Sequence, residues 1–167
     1  FRIDNVLDPT PKFCFFEFNY LAHHESTLRG ISVNSIRDAL GEQLGIEFAR
    51  AFPNEEVNYV SNLPRCPETA ARGLSRSTGI QFEEIFYKIR AERSFQGPDA
   101  EERNNSIKLN LNLTPNAREI LEDKIIVIVD DSIVRGTNIK QARKLLYEEA
   151  GVKKVFFASC WVIVDPP

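Results

Sequence analysis

The chain has 167 residues, 43% of them hydrophobic, with a formal net charge of −3 at neutral pH. That length suits one well-buried domain over residues 1–167 rather than two, and the acidic balance, with no dense Lys/Arg run, excludes a general nucleic-acid binder. A local site for a small polyanion stays open. No apolar run approaches a membrane span, and the N-terminus shows no basic region followed by a hydrophobic one. Cys14, Cys66 and Cys160 are widely spaced, which suggests neither a disulfide framework nor a zinc site. A cytoplasmic protein with no membrane partner is expected. Opening on Phe1 and stopping on Pro166-Pro167, the chain reads as a fragment of a longer architecture.

Residues 13–21 (FCFFEFNYL) mix aromatics with Glu17 and predict a strand. Ile36, Leu40, Leu44 and Phe48 repeat every four residues, which predicts an amphipathic helix over 32–50. A short strand follows over Val57 to Leu63, closed by Pro64. Pro67 suits a first helical position and Gly79 the residue just past a helix end, so 67–78 is predicted helical. A further helix is expected over 81–90. Residues 91–106 are rich in charge and poor in aliphatic side chains, and read as a mobile loop. Ile107, Leu109, Leu111 and Leu113 then alternate with Lys108, Asn110 and Asn112, the period of a half-buried strand. A short helix or turn is expected over 116–122. Ile125 to Val129 is apolar at every position, as in a strand buried on both faces of a parallel sheet. A helix over 139–150 stopping at Gly151, and a strand starting at Val155, complete an α/β domain with a mainly parallel sheet flanked by helices.

The stretch KIIVIVDDSIVRGTN, residues 124–138, carries the chemistry. Ligands of open parallel sheets bind beyond the carboxyl ends of the strands, where Asp130 and Asp131 fall. Ser132 to Asn138 must then turn the strand into a helix, whose N-terminus favours an oxyanion. A phosphate is the simplest occupant, with Arg135, the Ser132 and Thr137 hydroxyls and the backbone amides as donors. The carboxylates would repel that phosphate, so they suit sugar hydroxyls or a divalent metal instead. A Walker loop and a dinucleotide fingerprint are both missing. A phospho-receiver clusters aspartates similarly without explaining the R-G-T turn, and a plain acidic helix cap remains the bland alternative.

These residues resemble the phosphoribosyl pyrophosphate motif of type I phosphoribosyltransferases, and DDSIVRGT is similar in particular to the glutamine amidophosphoribosyltransferase family. A second segment carries the same resemblance: Cys14, Glu17, Tyr20 and Ala22 match a C-x-x-E-x-x-Y-x-A pattern, with Ser26, Gly30, Val33, Arg37 and Gly41 falling where it expects. Weaker matches run through ETAARGLSRSTGIQFEE, RSF and PDAEERNNSIKLN. The resemblance implies a type I phosphoribosyltransferase-like fold with a flexible lid at 91–106. It implies a site that binds phosphoribosyl pyrophosphate with Mg²⁺ and forms phosphoribosylamine from ammonia in purine biosynthesis. Asp130 and Asp131 would serve as catalytic residues and metal ligands. Substrate would be held by Ser132, Ile133, Val134, Arg135, Gly136, Thr137 and Asn138, with Arg90, Arg93 and Lys108 as cations for pyrophosphate. A homo-oligomer, and a separate glutaminase supplying ammonia, follow from the same resemblance.

Departures from the family pattern are specific. The family's P-D-S or P-D-T loop corresponds to Pro64-Arg65-Cys66, and its K-N-R-Y run is reduced to Tyr87-Lys88-Ile89-Arg90. Its R-R-K-L-N run becomes Lys108-Leu109-Asn110-Leu111-Asn112, and the phosphate loop ends in Asn138 where threonine is usual. Only Cys14 has a counterpart among the four cluster cysteines of some members, so no iron-sulfur cluster is expected. Arg65 and Cys66 favour a nucleoside monophosphate over the diphosphorylated ribose, which leaves a non-catalytic regulatory module as the alternative. His23-His24 reads as an exposed surface pair, and Trp161 as packing.

Overall fold

A computed structural model describes residues 14–64, 67–88, 111–133 and 136–161. Its centre is a parallel sheet of four strands: β3 (Tyr59–Asn62), β4 (Gln81–Phe82), β7 (Ile125–Asp130) and β8 (Lys154–Ser159), in the order β4-β3-β7-β8. Two antiparallel hairpins stand apart from it, β1 (Thr27–Leu28) with β2 (Ile31–Ser32), and β5 (Phe86–Lys88) with β6 (Leu111–Leu113). The helices are α1 (Val33–Ala51), α2 (Glu68–Thr78), α3 (Pro115–Ile120) and α4 (Thr137–Lys144).

The uninterrupted apolar run of β7 is explained by burial on both faces. Ile126 and Ile128 enter a core with Leu63, Leu113, Leu121, Leu145 and Leu146, while Val127 and Val129 face Phe48, Val60, Ala71 and Leu74 from α1, β3 and α2. With both neighbours parallel and in register, Val127 opposite Val60 and Phe156, the strand exposes no edge.

Helix α1 is capped by Ser32, whose side chain accepts from the Ser35 N–H at 3.3 Å. Its buried line is Val33, Arg37, Gly41, Gly45 and Phe48. The expected stripe of Ile36, Leu40 and Leu44 is only half-buried beside it, because the glycines let α2 approach backbone to backbone. A Cβ on Gly41 would overlap the Ala70 carbonyl, and one on Gly73 the Asp38 carbonyl. Helix α2 ends at Gly79, left-handed with φ 74°, as its sequence predicts.

Two predicted elements are corrected. Residues 14–21 are not a strand; Phe15 opens a helical segment whose turn Glu17–Leu21 is π-helical. Phe16 stacks on Tyr20 one turn on, ring centroids 5.1 Å apart, and the buried Arg37 takes the Phe18 and Ala22 carbonyls at 2.8 and 2.9 Å. Those tertiary bonds override the strand propensity of the aromatics. Nor is 81–90 a helix over its described part. Gln81–Phe82 adds to β3, and Phe86–Lys88 pairs with Leu111–Leu113. The Ile85 N–H reaches Ser61 Oγ at 3.5 Å between those two pairings, a partner outside any local helix.

The helix expected over 139–150 begins earlier, at Thr137, and passes into a π turn at Leu145–Glu149 before Gly151, φ 63°. The strand over 57–63 contracts to Tyr59–Asn62, and the short helix over 116–122 spans Pro115–Ile120. Trp161 packs on Phe15 and Phe16, with centroids at 5.5 and 5.9 Å. The loop expected at 91–106 and the strand residues 107–110 lie outside the described residues. Among the described residues no helix is long and apolar enough to cross a membrane.

Candidate functional site

From β3 the chain goes outward to β4, then returns past β3 to β7 and continues to β8, so the direction of winding reverses between β3 and β7. A crevice opens beyond the carboxyl ends of two strands at such a reversal. The strand ends that would flank it are Asn62-Leu63-Pro64 after β3 and Asp130-Asp131 after β7. They are stitched together by the Leu63 N–H donating to the Val129 carbonyl at 3.0 Å.

Asp130 ends β7 at 8% exposure, and its Oδ1 accepts the Asp131 N–H at 3.0 Å. Burial pushes its carboxyl up to about 7, helped by the Asp131 charge and opposed by that hydrogen bond and by the Lys88 charge. Burial raises Asp131 as well; hydrogen bonds from Ser132, whose Oγ donates to Asp131 Oδ1 at 3.3 Å, and the charges of Arg37 and Lys88 pull it back. Cys160, just past β8, donates its N–H to the Asp130 carbonyl at 3.2 Å, and its half-buried thiol is raised to about 12 by burial and by both carboxylates. Desolvated acidic groups that resist ionisation are thus concentrated at one strand end.

Ser132 and Ile133 follow, half-buried. Gly136 is left-handed, φ 67°, with open space where a Cβ would stand, so the turn needs glycine for its backbone angle rather than for room. Its carbonyl takes the Lys140 N–H at 2.9 Å and starts α4 on Thr137 and Asn138. Gly136 brings no side chain to cap the first turn. The N–H groups there, at the positive end of the helix dipole, can serve an anion.

No family model matches the chain. Curated amidophosphoribosyltransferases do. That of Pseudomonas aeruginosa is 39% identical over 161 residues, 94% of this chain and 31% of the relative, and that of Pyrococcus horikoshii is 38% identical over 156 residues, 93% and 31%. The glutamine phosphoribosylpyrophosphate amidotransferase of B. subtilis, solved in complex with ADP and GMP, superposes with a TM-score of 0.69 at 33% identity, over 88% of this chain and 30% of that one. The chain is a homologue of the amidophosphoribosyltransferases. It spans about a third of the length of the curated relatives it matches. Its fold is that of the type I phosphoribosyltransferases, shared also with an adenine phosphoribosyltransferase at TM-score 0.53 and 18% identity.

Within that fold the structure brings Asp130, Asp131, Ser132 and Ile133 together with Gly136, Thr137 and Asn138 along one strand-loop-helix unit. Val134, Arg135, Arg65, Cys66, Arg90, Arg93 and Lys108 lie outside the described residues. The donors fit a hard divalent cation such as Mg²⁺. Asp130 and Asp131 offer carboxylate oxygens whose ionised form is disfavoured by burial, and Mg²⁺ is commonly held by one or two carboxylates with substrate phosphates completing its shell. The other group of potential ligands among the described residues, His23, His24 and Glu25, is exposed. His23 Nδ1 there accepts the Glu25 N–H at 3.4 Å.

Three site residues escaped sequence reasoning. Lys88, at the end of β5, lowers both carboxyls, and its place in the K-N-R-Y correspondence was the available signal. Arg37 matched the family pattern without an assigned role. Asn19, whose Nδ2 donates to the Asp131 carbonyl at 3.3 Å, is 112 residues away in sequence and gave no signal at all.

Proposed function

We propose that the chain is a single phosphoribosyltransferase-like domain that binds phosphoribosyl pyrophosphate with Mg²⁺ and forms phosphoribosylamine from ammonia, as a cytoplasmic step of purine biosynthesis. The observation that carries this reading is the paired carboxylates at the strand-order reversal, followed at once by a left-handed Gly136 and the open N-terminus of α4. Seven residues from Ser132 to Asn138 would hold the 5'-phosphate through backbone amides, the Ser132 and Thr137 hydroxyls and Arg135. Asp130 and Asp131 would accept from the ribose hydroxyls or ligate the metal. Their separation from the helix N-terminus by a loop keeps like charges apart, so one ligand satisfies both halves.

Ammonia would displace pyrophosphate at the anomeric carbon, through a transition state with oxocarbenium character beside the carboxylates. No side-chain nucleophile is needed: positioning and charge stabilisation supply the acceleration. Mg²⁺, when bound, neutralises the departing pyrophosphate. Lys88, Arg93 and Lys108 would add cationic charge on that side. Ammonia would come free or from a separate glutaminase, and the domain would act as a homo-oligomer.

Pro64-Arg65-Cys66 favours a second reading. Where the family pattern carries an acid and a hydroxyl beyond β3, this chain carries a cation and a thiol, so a nucleoside monophosphate would bind without turnover. Calorimetric titration with phosphoribosyl pyrophosphate and Mg²⁺, set against AMP and GMP, separates the two. Diphosphate binding that depends on Mg²⁺ is the expected result. Monophosphate binding alone would sink the enzyme reading in favour of a regulatory module, and binding of neither would sink both.

A further inference from the structure

Four polar side chains are buried among the described residues: Asn19, Arg37, Ser61 and Asp130. Two of them, Arg37 and Asn19, lie on one path that ends at Asp131. Arg37 of α1, 4% exposed, donates from Nε to the Phe18 carbonyl at 2.8 Å and from Nη2 to the Ala22 carbonyl at 2.9 Å. One rigid guanidinium therefore grips the helical turn Glu17–Leu21 on both sides of Asn19. Asn19, 3% exposed, aims Nδ2 at the Asp131 carbonyl at 3.3 Å.

That carbonyl sits where the sheet stops. The ladder between β7 and β8 ends at Asp130 opposite Ser159, so no ladder bond orients the Asp131-Ser132 peptide. Its orientation sets the direction of the Ser132 N–H, which donates to the Asp131 carboxylate. Burying a primary amide is costly unless it is bonded, and an apolar side chain of similar size would fill the place of Asn19 without that cost. The bond to Asp131 is what the amide contributes.

We infer that Asn19 is a positioning residue for the two-aspartate loop, held in register by Arg37. The N-terminal helical turn is thereby the brace of a site whose ligating groups lie more than a hundred residues later. The consequence for ligand affinity rests on the phosphoribosyl reading above; the consequence for loop order does not.

The test uses the full chain and two readouts. In Asn19→Leu, amide hydrogen exchange at Asp131 and Ser132 should speed at least tenfold while Ile126 to Val129 stay as slow as before. Should that variant fail to fold, Asn19→Ser, too short to reach the carbonyl, gives the same local pattern. Arg37→Lys, which keeps the charge but loses the fork, should repeat it. Affinity for phosphoribosyl pyrophosphate with Mg²⁺ should fall about tenfold in Asn19→Leu, and adding Asp131→Asn should cost less there than it does alone, the non-additivity of two residues acting through one group. Unchanged exchange at Asp131 and Ser132, acceleration spread evenly along β7, or additive losses in affinity would each overturn the positioning role. An unmodified chain that binds no phosphoribosyl compound, with the local exchange effect intact, removes the ligand reading and leaves this role standing.

Discussion

Asp130, in the proposed site, carries a stability cost that depends on pH. The folded protein keeps this carboxyl protonated up to about pH 7, while an unfolded chain releases the proton near its ordinary 3.8. The folded state thus binds the extra proton between those values. Stability from this group is fully present below about pH 4, falls as pH rises, and is lost above the folded value. The interval sets an upper bound of about 4 kcal/mol. Asp130→Asn keeps an oxygen to accept the Asp131 N–H but cannot ionise. Urea unfolding should find it more stable than the unsubstituted chain by roughly 1 to 3 kcal/mol at pH 8, with the difference shrinking toward zero at pH 4. Equal stability differences at both pH values would contradict the strained-carboxylate account. A cation bound at the pair should remove much of the same penalty, since it stabilises the ionised form directly.

At the scale of elements, close helix packing explains both what the sequence predicted and what it hid. The extent of α1 was legible from its four-residue apolar repeat, but its contact face was not, because the contact is made by Gly41 and Gly45, which carry no hydrophobic signal. Gly41→Ala should destabilise by about 2 kcal/mol even though alanine favours helix by about 1 kcal/mol, since the added methyl meets the Ala70 backbone. Gly45→Ala should be near neutral: its first obstacle is the Ser77 hydroxyl, which can rotate away, and the Leu74 carbonyl is next at 3.1 Å. Thermal melts of the two variants should therefore differ clearly, and equal melting would refute the packing argument. The strand expected at 13–21 and the helix expected at 81–90 failed for a related reason. Arg37 in one case, and β3 with β6 in the other, supplied partners from distant sequence. Local pattern registers composition within a window; it cannot register who occupies the other side.

Across the whole molecule, the reversal of strand order between β3 and β7 brings two sequence-distant stretches to the same end of the sheet. The Asp130 stretch was legible, because a fully apolar strand ending in two acids has few bland explanations. The order β4-β3-β7-β8 was not, since nothing in the strands themselves specifies their neighbours. That order gives the departure at Arg65-Cys66 its weight: the chain leaving β3 through Leu63 and Pro64 departs beside Val129, one residue before Asp130. If these two residues set the balance between diphosphate and monophosphate, the double substitution Arg65→Asp, Cys66→Ser should raise affinity for phosphoribosyl pyrophosphate with Mg²⁺ about tenfold or more. Affinity for AMP should stay within about twofold, because Ser132 to Asn138, the proposed 5'-phosphate wall, is untouched. A tenfold change corresponds to about 1.4 kcal/mol, the scale of one added charge-assisted hydrogen bond. Titration of both ligands against both proteins gives the ratio directly. A parallel rise for both ligands would place the effect in general ordering of the crevice, while no change for either would move the determinant of diphosphate binding away from the end of β3.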